Sequence, residues 1–549
     1  MSDTVSGLLT IGLLVVALAL VHVPFGNYLA RTFTSETHWG VERLVYRLVG
    51  VRPDSEQRWT AYAASVLGIS VVSTLGLFLL ILVQSHLPTA RAGVGMHPDT
   101  AWNTAVSFVT NTNWQAYAGE SGVTPLTQAV GLTVQNFISA AVGLAVAVAL
   151  VRGLARRRTD QLGNFWVDLT RSITRVLLPI SVVGAVILMV GGVIENLSAP
   201  LTVHTLAGGS QVIQGGPVAS QEVIKLLGTN GGGFFNANSA HPFENPNAFT
   251  DLFQIFLLLV IGFTLPRMYG VMVGDKRQGW SILGLMTTLW VGGLVVATRA
   301  ELLANRSLGG ALEGKEIRFG VWASALFGVS TTGTSTGAVN SAHESFSPIG
   351  GGMLLTNMVL GEISPGGVGT GLYSALIVAV LAVFIAGLMV GRTPEFLGKT
   401  IGRHEITLAA LVTLVMPALV LFGSALAIAL PRERANLLAV GPHGLTEMVY
   451  AFASATNNNG SAFAGLTADA PFFNLTLSVV MALGRFLPIV LVIALAGRLA
   501  QQGRRPATVA TMPTHTPLFV TLLVGVAIIV TALTFFPALA LGPIAEALS

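Results

Sequence analysis

Long apolar runs, separated by short polar segments, dominate the pattern of hydrophobic and polar positions along the chain. A membrane-spanning helix needs about 20 mostly apolar residues, and ten runs have about that length. They cover approximately residues 5–25, 62–85, 127–150, 176–196, 251–270, 280–300, 370–391, 406–430, 472–496 and 516–540. From these runs we predict an all-α polytopic membrane protein with ten transmembrane helices.

Four shorter apolar runs lie between the predicted spans, at residues 101–109, 221–227, 321–330 and 445–455. A helix of about ten residues is too short to cross a bilayer. Each run leads into a polar segment without charge, at residues 110–115, 228–233, 334–337 and 456–460. Non-helical backbone at membrane depth is tolerated only where it is buried in protein or lines a water-filled cavity. The pattern therefore predicts a helix, a re-entrant half-helix, a polar strand and a helix, four times over.

The similar spacing of the four polar segments indicates internal repetition. We expect pore repeat 1 at residues 62–175, repeat 2 at 176–279, repeat 3 at 280–405 and repeat 4 at 406–515. Residues 1–61 then form the first transmembrane helix and a cytoplasmic loop, and residues 516–549 form the tenth transmembrane helix. Four helix–pore-loop–helix repeats in one chain would surround a central pore without further subunits.

Lys and Arg residues are distributed unevenly over the loops. Most of them lie near residues 26–60, 151–175, 266–279, 391–405 and 497–515. Because cytoplasmic loops carry an excess of basic residues, we assign these five loops to the cytoplasm. With ten spans, both termini and all four polar segments then lie outside.

Composition excludes several classes of protein. Charged residues make up only 10% of the chain, whereas soluble proteins carry roughly 25%, so membrane lipid is expected around most of it. The net charge of +4 is spread over short loops, and nucleic acid is not an expected partner. The chain has no cysteine, which excludes disulfides, thiolate metal sites and a cysteine nucleophile.

The polar segments contain the residue types of an ion filter. Rings of backbone carbonyls can replace the hydration shell of a potassium ion. The candidate potassium ligands are Asn111, Thr112, Asn113, Thr229, Asn230, Gly231, Ser335, Thr336, Gly337, Asn458, Asn459 and Gly460. The first segment has no glycine, which restricts its backbone. An ordinary extracellular loop is the alternative, but four such segments on one side, each behind a short helix, favour a filter.

Other polar residues near these segments have two interpretations each. Asn238 and His241 either cap the turn after the second segment, which is favoured, or bind the ion. Glu120, Glu344 and Glu362 are expected near the outer mouth, where they either concentrate cations or form a solvated rim. The ten His residues are scattered, so no metal site other than that for potassium is expected.

Two glycine-containing stretches resemble nucleotide-binding motifs. Gly398, Lys399 and Thr400 end like a phosphate loop, but Thr393 stands where its first glycine belongs, which favours a cytoplasmic loop. The glycine-rich run at 366–371 lies on the outer side at the start of a predicted span, which favours close helix packing or the beginning of a helix. We therefore expect no ATP site and no organic cofactor in this chain.

Arg485 is a charged residue in the middle of the ninth predicted span, with no acidic residue within one helical turn. A lone Arg at the bilayer centre costs on the order of 3 kcal/mol or more and normally faces a cavity or a partner. Because the ninth span follows the fourth polar segment, we predict that Arg485 is a pore gate below the filter. The alternative is a structural Arg bonded to backbone carbonyls.

Longer stretches of sequence indicate a family. They are NTNWQAYAGE at 111–120, GTNGGGFFNANSAHPFENP at 228–246, STGAVNSAHESFSPIGG at 335–351, GRTPEFLGKTIG at 391–402 and ATNNNGSAFAGL at 455–466. Through them the chain resembles the potassium-binding A subunit of the Kdp potassium-transporting ATPase complex, over essentially its whole length. That family belongs to a superfamily of potassium transporters descended from a fourfold duplicated channel unit, which agrees with the repeats.

The resemblance implies a non-catalytic transport subunit of a P-type potassium-transporting ATPase in the bacterial plasma (inner) membrane. It would take K+, its bound substrate, from the outside and pass it to a catalytic P-type ATPase B subunit, with a C subunit and a small F subunit completing the complex. The chain itself lacks the Asp-Lys-Thr-Gly-Thr phosphorylation loop of such an ATPase. Span 7 and the 391–402 loop are the candidate contact with the partner.

Two other functions stay open at this point. An ATP-independent channel-like or ion-gradient-driven potassium transporter of the same superfamily would share the filters. A multi-span membrane enzyme would need an intramembrane acid, base or metal cluster, and the predicted spans contain no such group.

Overall fold

The computed structural model describes residues 3–89, 94–307, 312–391, 393–506 and 511–549. Within these ranges ten helices are long and apolar enough to cross a membrane, and we number them spans 1 to 10. Their bounds are Asp3–Thr34, Trp59–His86, Thr127–Ala155, Phe165–Val190, Ala248–Met272, Lys276–Ala304, Thr370–Met389, Arg403–Ala429, Pro471–Gln501 and Pro517–Leu548. The predicted all-α fold with ten transmembrane helices is confirmed.

Four further helices lie between spans 2 and 3, 4 and 5, 6 and 7, and 8 and 9. These pore helices 1 to 4 are Pro98–Val109, Val218–Leu227, Gly320–Gly333 and Gly441–Thr456. Proline marks the first turn of pore helix 1 and of spans 9 and 10, at Pro98, Pro471 and Pro517. Proline suits this position because the first turn of a helix leaves its N–H groups unbonded in any case. Each pore helix ends at one of the four polar segments.

The remaining elements are short. Further helices are Gly40–Val49, Gly119–Gly122, Asn238–Ala240, His343–Ser345, Pro348–Val359 and Pro431–Arg434, and π-helical turns occur in spans 3, 4 and 10 at Thr127–Thr133, Ser172–Leu177 and Ala540–Ile544. Strand β1 (Leu201–His204) pairs antiparallel with β2 (Ser210–Ile213), and β3 (Glu395–Phe396) pairs with β4 (Lys399–Thr400). The β1–β2 hairpin is largely exposed, whereas Phe396 of β3 is buried in the hydrophobic core.

Span 3 lies at the centre of the bundle and span 1 at its edge. In their most apolar windows 83% of span 3 is buried in the protein, against 11% of span 1. Small residues allow the backbones of central helices to approach closely. At Gly153 of span 3, a Cβ atom would lie 2.5 Å from the Ala496 carbonyl oxygen of span 9. Spans 3 and 9 are therefore in close backbone contact at this point.

Two features of the helices differ from the sequence prediction. Span 4 begins at Phe165 rather than near 176, because its first turns contain Asp168, whose charge breaks the apolar pattern. Asp168 is buried and paired with Arg152, with Nη2 and Oδ1 2.8 Å apart. A separate half-helix, Pro348–Val359, lies between pore helix 3 and span 7; it is too short and too rich in glycine to resemble a span.

Candidate ion-binding pore

The candidate ligands form one strand after each pore helix, and we name these strands filters 1 to 4 (residues 111–113, 229–231, 335–337 and 458–460). In all four, the amide of the middle filter residue bonds back to a carbonyl of its pore helix. The bonds are Thr112 N to Ser107 O at 2.9 Å, Asn230 N to Lys225 O at 2.8 Å, Thr336 N to Thr331 O at 2.9 Å and Asn459 N to Ser454 O at 2.8 Å. The filters thus share one backbone anchor.

Each filter has a left-handed residue at its first and third positions. The residues with positive φ are Asn111 and Asn113, Thr229 and Gly231, Ser335 and Gly337, and Asn458 and Gly460. Alternating handedness turns successive carbonyls to the same side of a strand, which is what a ring of ion ligands requires. Asn113, at φ 56°, replaces glycine in filter 1, and Asn is among the few residues that adopt this region readily. Filter 1 therefore keeps the common backbone without glycine.

The filters contact one another in cyclic order. A Cβ atom would lie 1.8 Å from Thr336 O if added to Gly231, 1.9 Å from Asn459 O if added to Gly337, and 1.9 Å from Thr112 O if added to Gly460. Filter 1 meets filter 2 through Asn111, whose Nδ2 donates to Thr229 O at 2.8 Å. The structure therefore brings all four filters into one closed ring, and filters 2, 3 and 4 need glycine where they meet the next filter.

The ring is enclosed by protein. All the candidate ligands are buried except Gly460, which is partly exposed. Two candidate carbonyls also accept side-chain bonds: Thr229 O from Asn111, as above, and Gly231 O from Asn113 Nδ2 at 3.0 Å. A carbonyl oxygen has two lone pairs, so each of these oxygens retains one for an ion.

A cavity opens beyond the third residue of each filter, on the side assigned to the outside. Residues that follow each of the four filters line it, among them Gln115, Phe235, Val339 and Ser461. Two of the predicted rim carboxylates are engaged nearby: Glu120 Oε2 accepts the Asn236 amide at 2.9 Å, and Glu344 Oε1 lies 3.8 Å from His443 Nε2. These contacts fit a structural rim.

Asn238 and His241 support the turn after filter 2. Asn238 Nδ2 donates to Gly232 O at 2.5 Å and its Oδ1 accepts from Lys225 Nζ at 2.8 Å. The His241 ring stacks on Phe235 with centroids 3.7 Å apart, and burial lowers the pKa of His241. The structure favours the capping interpretation of both residues, since their polar groups face protein atoms.

The loop at 360–369 lies beneath the ring, on the side of the pore-helix ends. The amide of Gly366 donates to Gly333 O at 2.8 Å, and that of Val368 donates to Thr229 Oγ1 at 2.9 Å. A Cβ on Gly369 would lie 2.0 Å from the Gly143 carbonyl of span 3. The prediction of close packing for the 366–371 run is correct, but its outer placement is wrong, because the half-helix before span 7 carries the loop into the membrane.

Arg485 is not part of the ring. It lies in a second cavity, beneath filter 4, which Thr456, Asn458 and Gly484 also line. Arg485 is 4% exposed, and its Nη2 is 3.5 Å from Ser139 O. Glu362 lines the same cavity, so its predicted place at the outer mouth is wrong, for the reason given for the loop. Glu362 and Arg485 are far apart in the sequence, so the sequence does not indicate that they line one cavity.

Three residues behind filter 2 were missed by the sequence analysis. Lys225, Glu222 and Glu244 are fully buried and form an ion-pair cluster, with Lys225 Nζ 2.6 Å from Glu222 Oε2 and 2.8 Å from Glu244 Oε2. Two charged residues inside a pore helix, at 222 and 225, were the available signal, since such residues are not expected at membrane depth without a partner.

Comparison with known proteins identifies the family of this chain. A family profile described as the potassium-transporting ATPase A subunit matches residues 12–548. The chain belongs to this family. Proteins named potassium-transporting ATPase potassium-binding subunit from Kineococcus radiotolerans and Mycolicibacterium vanbaalenii are 59% and 57% identical to it, over 100% of this chain and 99% and 100% of theirs.

A solved structure has the same fold at low sequence identity. The potassium transporter TrkH from Vibrio parahaemolyticus superposes with a TM-score of 0.57 and 13% identity, over 86% of this chain and 97% of that one. The similarity bears on the fold alone. As a member of the A-subunit family, this chain is a multi-pass membrane protein and a transport subunit, not the catalytic one.

Proposed function

We propose that this chain is the potassium-binding and selectivity subunit of an ATP-driven, high-affinity potassium uptake complex. The single observation that carries the proposal is the closed ring of four filters with alternating backbone handedness. A desolvated ion needs oxygen ligands from several directions at once, and the ring supplies them from one chain. The names of the relatives give the ion, potassium.

The ligands are the carbonyls of the residues already predicted in filters 1 to 4. Asn111, Thr112 and Asn113 serve in filter 1, Thr229, Asn230 and Gly231 in filter 2, Ser335, Thr336 and Gly337 in filter 3, and Asn458, Asn459 and Gly460 in filter 4. K+ is the bound substrate, and the filters need no organic cofactor. Side-chain bonds between neighbouring filters support this assignment, because they fix the spacing of the carbonyls.

Arg485 is proposed as the pore gate. A K+ ion that leaves the ring toward the pore-helix ends meets the 360–369 loop and the cavity that holds Arg485. The guanidinium repels an approaching cation, more strongly in the low-dielectric interior than in water. The ion would then leave sideways, to a partner, rather than straight to the cytoplasm.

The proposed partners are the catalytic P-type ATPase B subunit, a C subunit and a small F subunit. The sequence has no phosphorylation loop of its own, so the energy must come from another chain. Span 7 and the 391–402 loop, which holds the β3–β4 hairpin, are the proposed contact; residue 392 of this loop lies outside the described residues. We place the complex in the bacterial plasma membrane, with both termini outside.

We also propose the fourfold division into repeats. Each repeat comprises a span, a pore helix, a filter and a span, at 62–175, 176–279, 280–405 and 406–515, with residues 1–61 and 516–549 as flanking units. Span 4 begins at Phe165, which supports moving the division between repeats 1 and 2 to the loop before this residue.

The assignment is tested by comparing the purified chain with the assembled complex. Alone, the chain is expected to bind K+ and to hydrolyse no ATP, and hydrolysis should appear, with K+ dependence, only when the ATPase subunits are present. The ATP-independent alternative predicts the opposite: K+ uptake into liposomes by this chain alone. Such uptake, or ATP hydrolysis by the isolated chain, would refute the proposal.

A further inference from the structure

Lys225 occupies a position that exists in all four pore helices. Its carbonyl oxygen anchors filter 2 by accepting the amides of Asn230 at 2.8 Å and Gly231 at 3.2 Å. The corresponding anchors of filters 1, 3 and 4 are Ser107, Thr331 and Ser454. Three of the four positions thus have a small hydroxyl side chain, and only filter 2 is anchored by a residue with a long cationic one.

The ammonium group of Lys225 joins three side chains behind filter 2. Nζ lies 2.6 Å from Glu222 Oε2, 2.8 Å from Glu244 Oε2 and 2.8 Å from Asn238 Oδ1. Glu222 also accepts from Ser239 Oγ at 2.8 Å. We name Glu222, Lys225, Asn238 and Glu244 the ionic brace.

The brace is bonded to the backbone that continues filter 2 outward. Asn238 Nδ2 donates to Gly232 O, and Glu244 Oε1 accepts the Phe235 amide at 2.8 Å. Lys225 therefore acts on filter 2 in two ways: its carbonyl accepts the amides of the second and third filter residues, and its ammonium is bonded to the groups that hold the backbone just beyond the filter.

The charged residues of the ionic brace are all buried. Lys225 and Glu244 are 0% exposed and Glu222 is 1% exposed. Replacing a buried ion cluster by apolar residues is often neutral for stability or even stabilising, so such clusters are poorly explained by stability alone. Geometry is the better explanation here, because charge-assisted hydrogen bonds are short and directional.

We propose that the ionic brace determines ion discrimination at filter 2. Lys225 is a positioning residue: it touches no K+ itself, but it fixes the backbone of Gly231, and of Gly232 just beyond the filter, more tightly than the neutral anchors fix the other filters. Loss of the brace lets the filter adapt to ions of another size, so that discrimination against Na+ and Rb+ falls even where the protein stays folded.

The test uses equilibrium binding of K+, Rb+ and Na+ to the purified full-length chain, with melting temperature as the measure of folding. The decisive variant is Lys225→Met with Glu222→Gln and Glu244→Gln, which removes the charges together and leaves none unpaired. We expect about a tenfold loss of discrimination between K+ and Na+, equivalent to about 1.4 kcal/mol. Lys225→Arg, which keeps the charge and its donors, should retain most of the discrimination.

Lys315→Met is the matched control. Lys315 is a buried lysine in the next repeat, with Nζ 2.9 Å from Glu301 Oε2, but its ion pair holds the half-helix before span 7 and not a filter. This variant should lose stability and keep its ion ratios. Wild-type ratios in the folded triple variant would refute the inference, as would an equal loss in Lys315→Met.

The single variant Glu244→Gln covers the case in which the triple variant does not fold. It leaves Glu222 to pair with Lys225 and retains an oxygen for the Phe235 amide, and it should reduce discrimination severalfold. Unchanged ratios in this folded variant would equally refute the inference. The inference rests on the proposed function, but different results refute the two. If the wild-type chain binds no K+, the proposed function is refuted. If the wild-type chain binds K+ tightly and the variants keep its ion ratios, only the role of the ionic brace is refuted.

Discussion

At the scale of single residues, the filters combine one backbone geometry with different side chains. Thr229 and Ser335 have φ values of 48° and 52°, a region that costs a non-glycine residue roughly 1–2 kcal/mol. Their side chains offset part of this cost, since Thr229 Oγ1 accepts the Val368 amide and Ser335 Oγ donates to Asn457 O at 2.7 Å. Strained residues that neighbouring groups hold in place are typical of binding sites.

Gly231→Asp should weaken K+ binding and reduce discrimination against Na+. Its φ is 79°, and a Cβ atom would lie 1.8 Å from Thr336 O, so filters 2 and 3 must separate. Binding to the purified chain is expected to weaken by about tenfold or more, the equivalent of 1.4 kcal/mol.

Gly274→Asp is the matched control for this change. Its φ is 81°, and no atom lies within 4 Å of an added Cβ, so it has the same backbone strain without the crowding. If both variants bind K+ equally, crowding between filters 2 and 3 does not weaken binding, and Gly231 does not contribute to the K+ site.

The sequence predicts the filter residues well, but it does not predict the residues that pack behind the filters. Uncharged Asn, Thr, Ser and Gly after a short apolar helix are a local signal, and the structure brings all these residues together. The places of Lys225 and Glu362 depend on contacts between distant parts of the chain. No local pattern encodes the ring order or the cavity that Glu362 shares with Arg485.

At the scale of secondary structure, the lengths of the apolar runs predict the spans correctly, except where charged residues or glycines interrupt a run. Span 4 was predicted too short because Asp168 and Arg171 stand in its first turns. The half-helix Pro348–Val359 was missed because three consecutive glycines and its short length resemble a loop. The first turns of span 4 are held by a tertiary contact, the pair between Arg152 and Asp168, which a hydropathy pattern does not contain.

Lys399 joins the β3–β4 hairpin to the ends of two spans. Its Nζ donates to Leu499 O and Gln502 O, each at 2.9 Å, and to Arg156 O at 2.5 Å. Burial, together with Arg504 and Arg157, lowers the pKa of Lys399 to about 8. Between about pH 8 and the ordinary Lys pKa near 10.4, the unfolded chain then holds more protons at this residue than the folded one.

The stability of the wild-type chain relative to Lys399→Met should therefore rise as the pH increases from about 8 to 10. Stability rises with pH wherever the unfolded state binds more protons. Melting temperatures of both proteins across this range measure the difference, and the variant corrects for every other group that titrates. A difference that is constant or falls with pH would contradict the assigned direction.

At the scale of the whole molecule, the orientation of the chain in the membrane decides whether the ring of filters faces the outside, from which K+ is taken up. Single cysteines in this cysteine-free chain test it directly. Cysteines at Thr4 and Ser549, both exposed, should react with a membrane-impermeant thiol reagent in intact cells, whereas one at the exposed Arg157 should react only after lysis. Ser2, nearer the N-terminus, lies outside the described residues. If Arg157→Cys is labelled in intact cells, the topology is the inverse of the one assigned here, and the filters face the wrong side for uptake.

Uptake driven by ATP also requires that the chain does not conduct K+ passively. The barrier to passive flow must then lie in or near the cavity beneath the ring. Arg485 and Glu362 both line this cavity, and the guanidinium opposes a cation that enters it. Arg485→Gln removes the positive charge, leaves the carboxylate and should admit K+ to the cavity. We expect ATP-independent K+ leak through liposomes that contain this variant.

Arg485→Lys separates the gate from a structural role. Lysine keeps the charge but loses the planar guanidinium, so the gate interpretation predicts little leak, whereas a purely structural Arg held by carbonyls such as Ser139 O predicts similar damage from both substitutions. A folded, K+-binding Arg485→Gln variant whose liposomes remain tight would eliminate the gate. In that case the 360–369 loop, bonded to Gly333 and Thr229, would remain as the barrier between the ring and the cytoplasm.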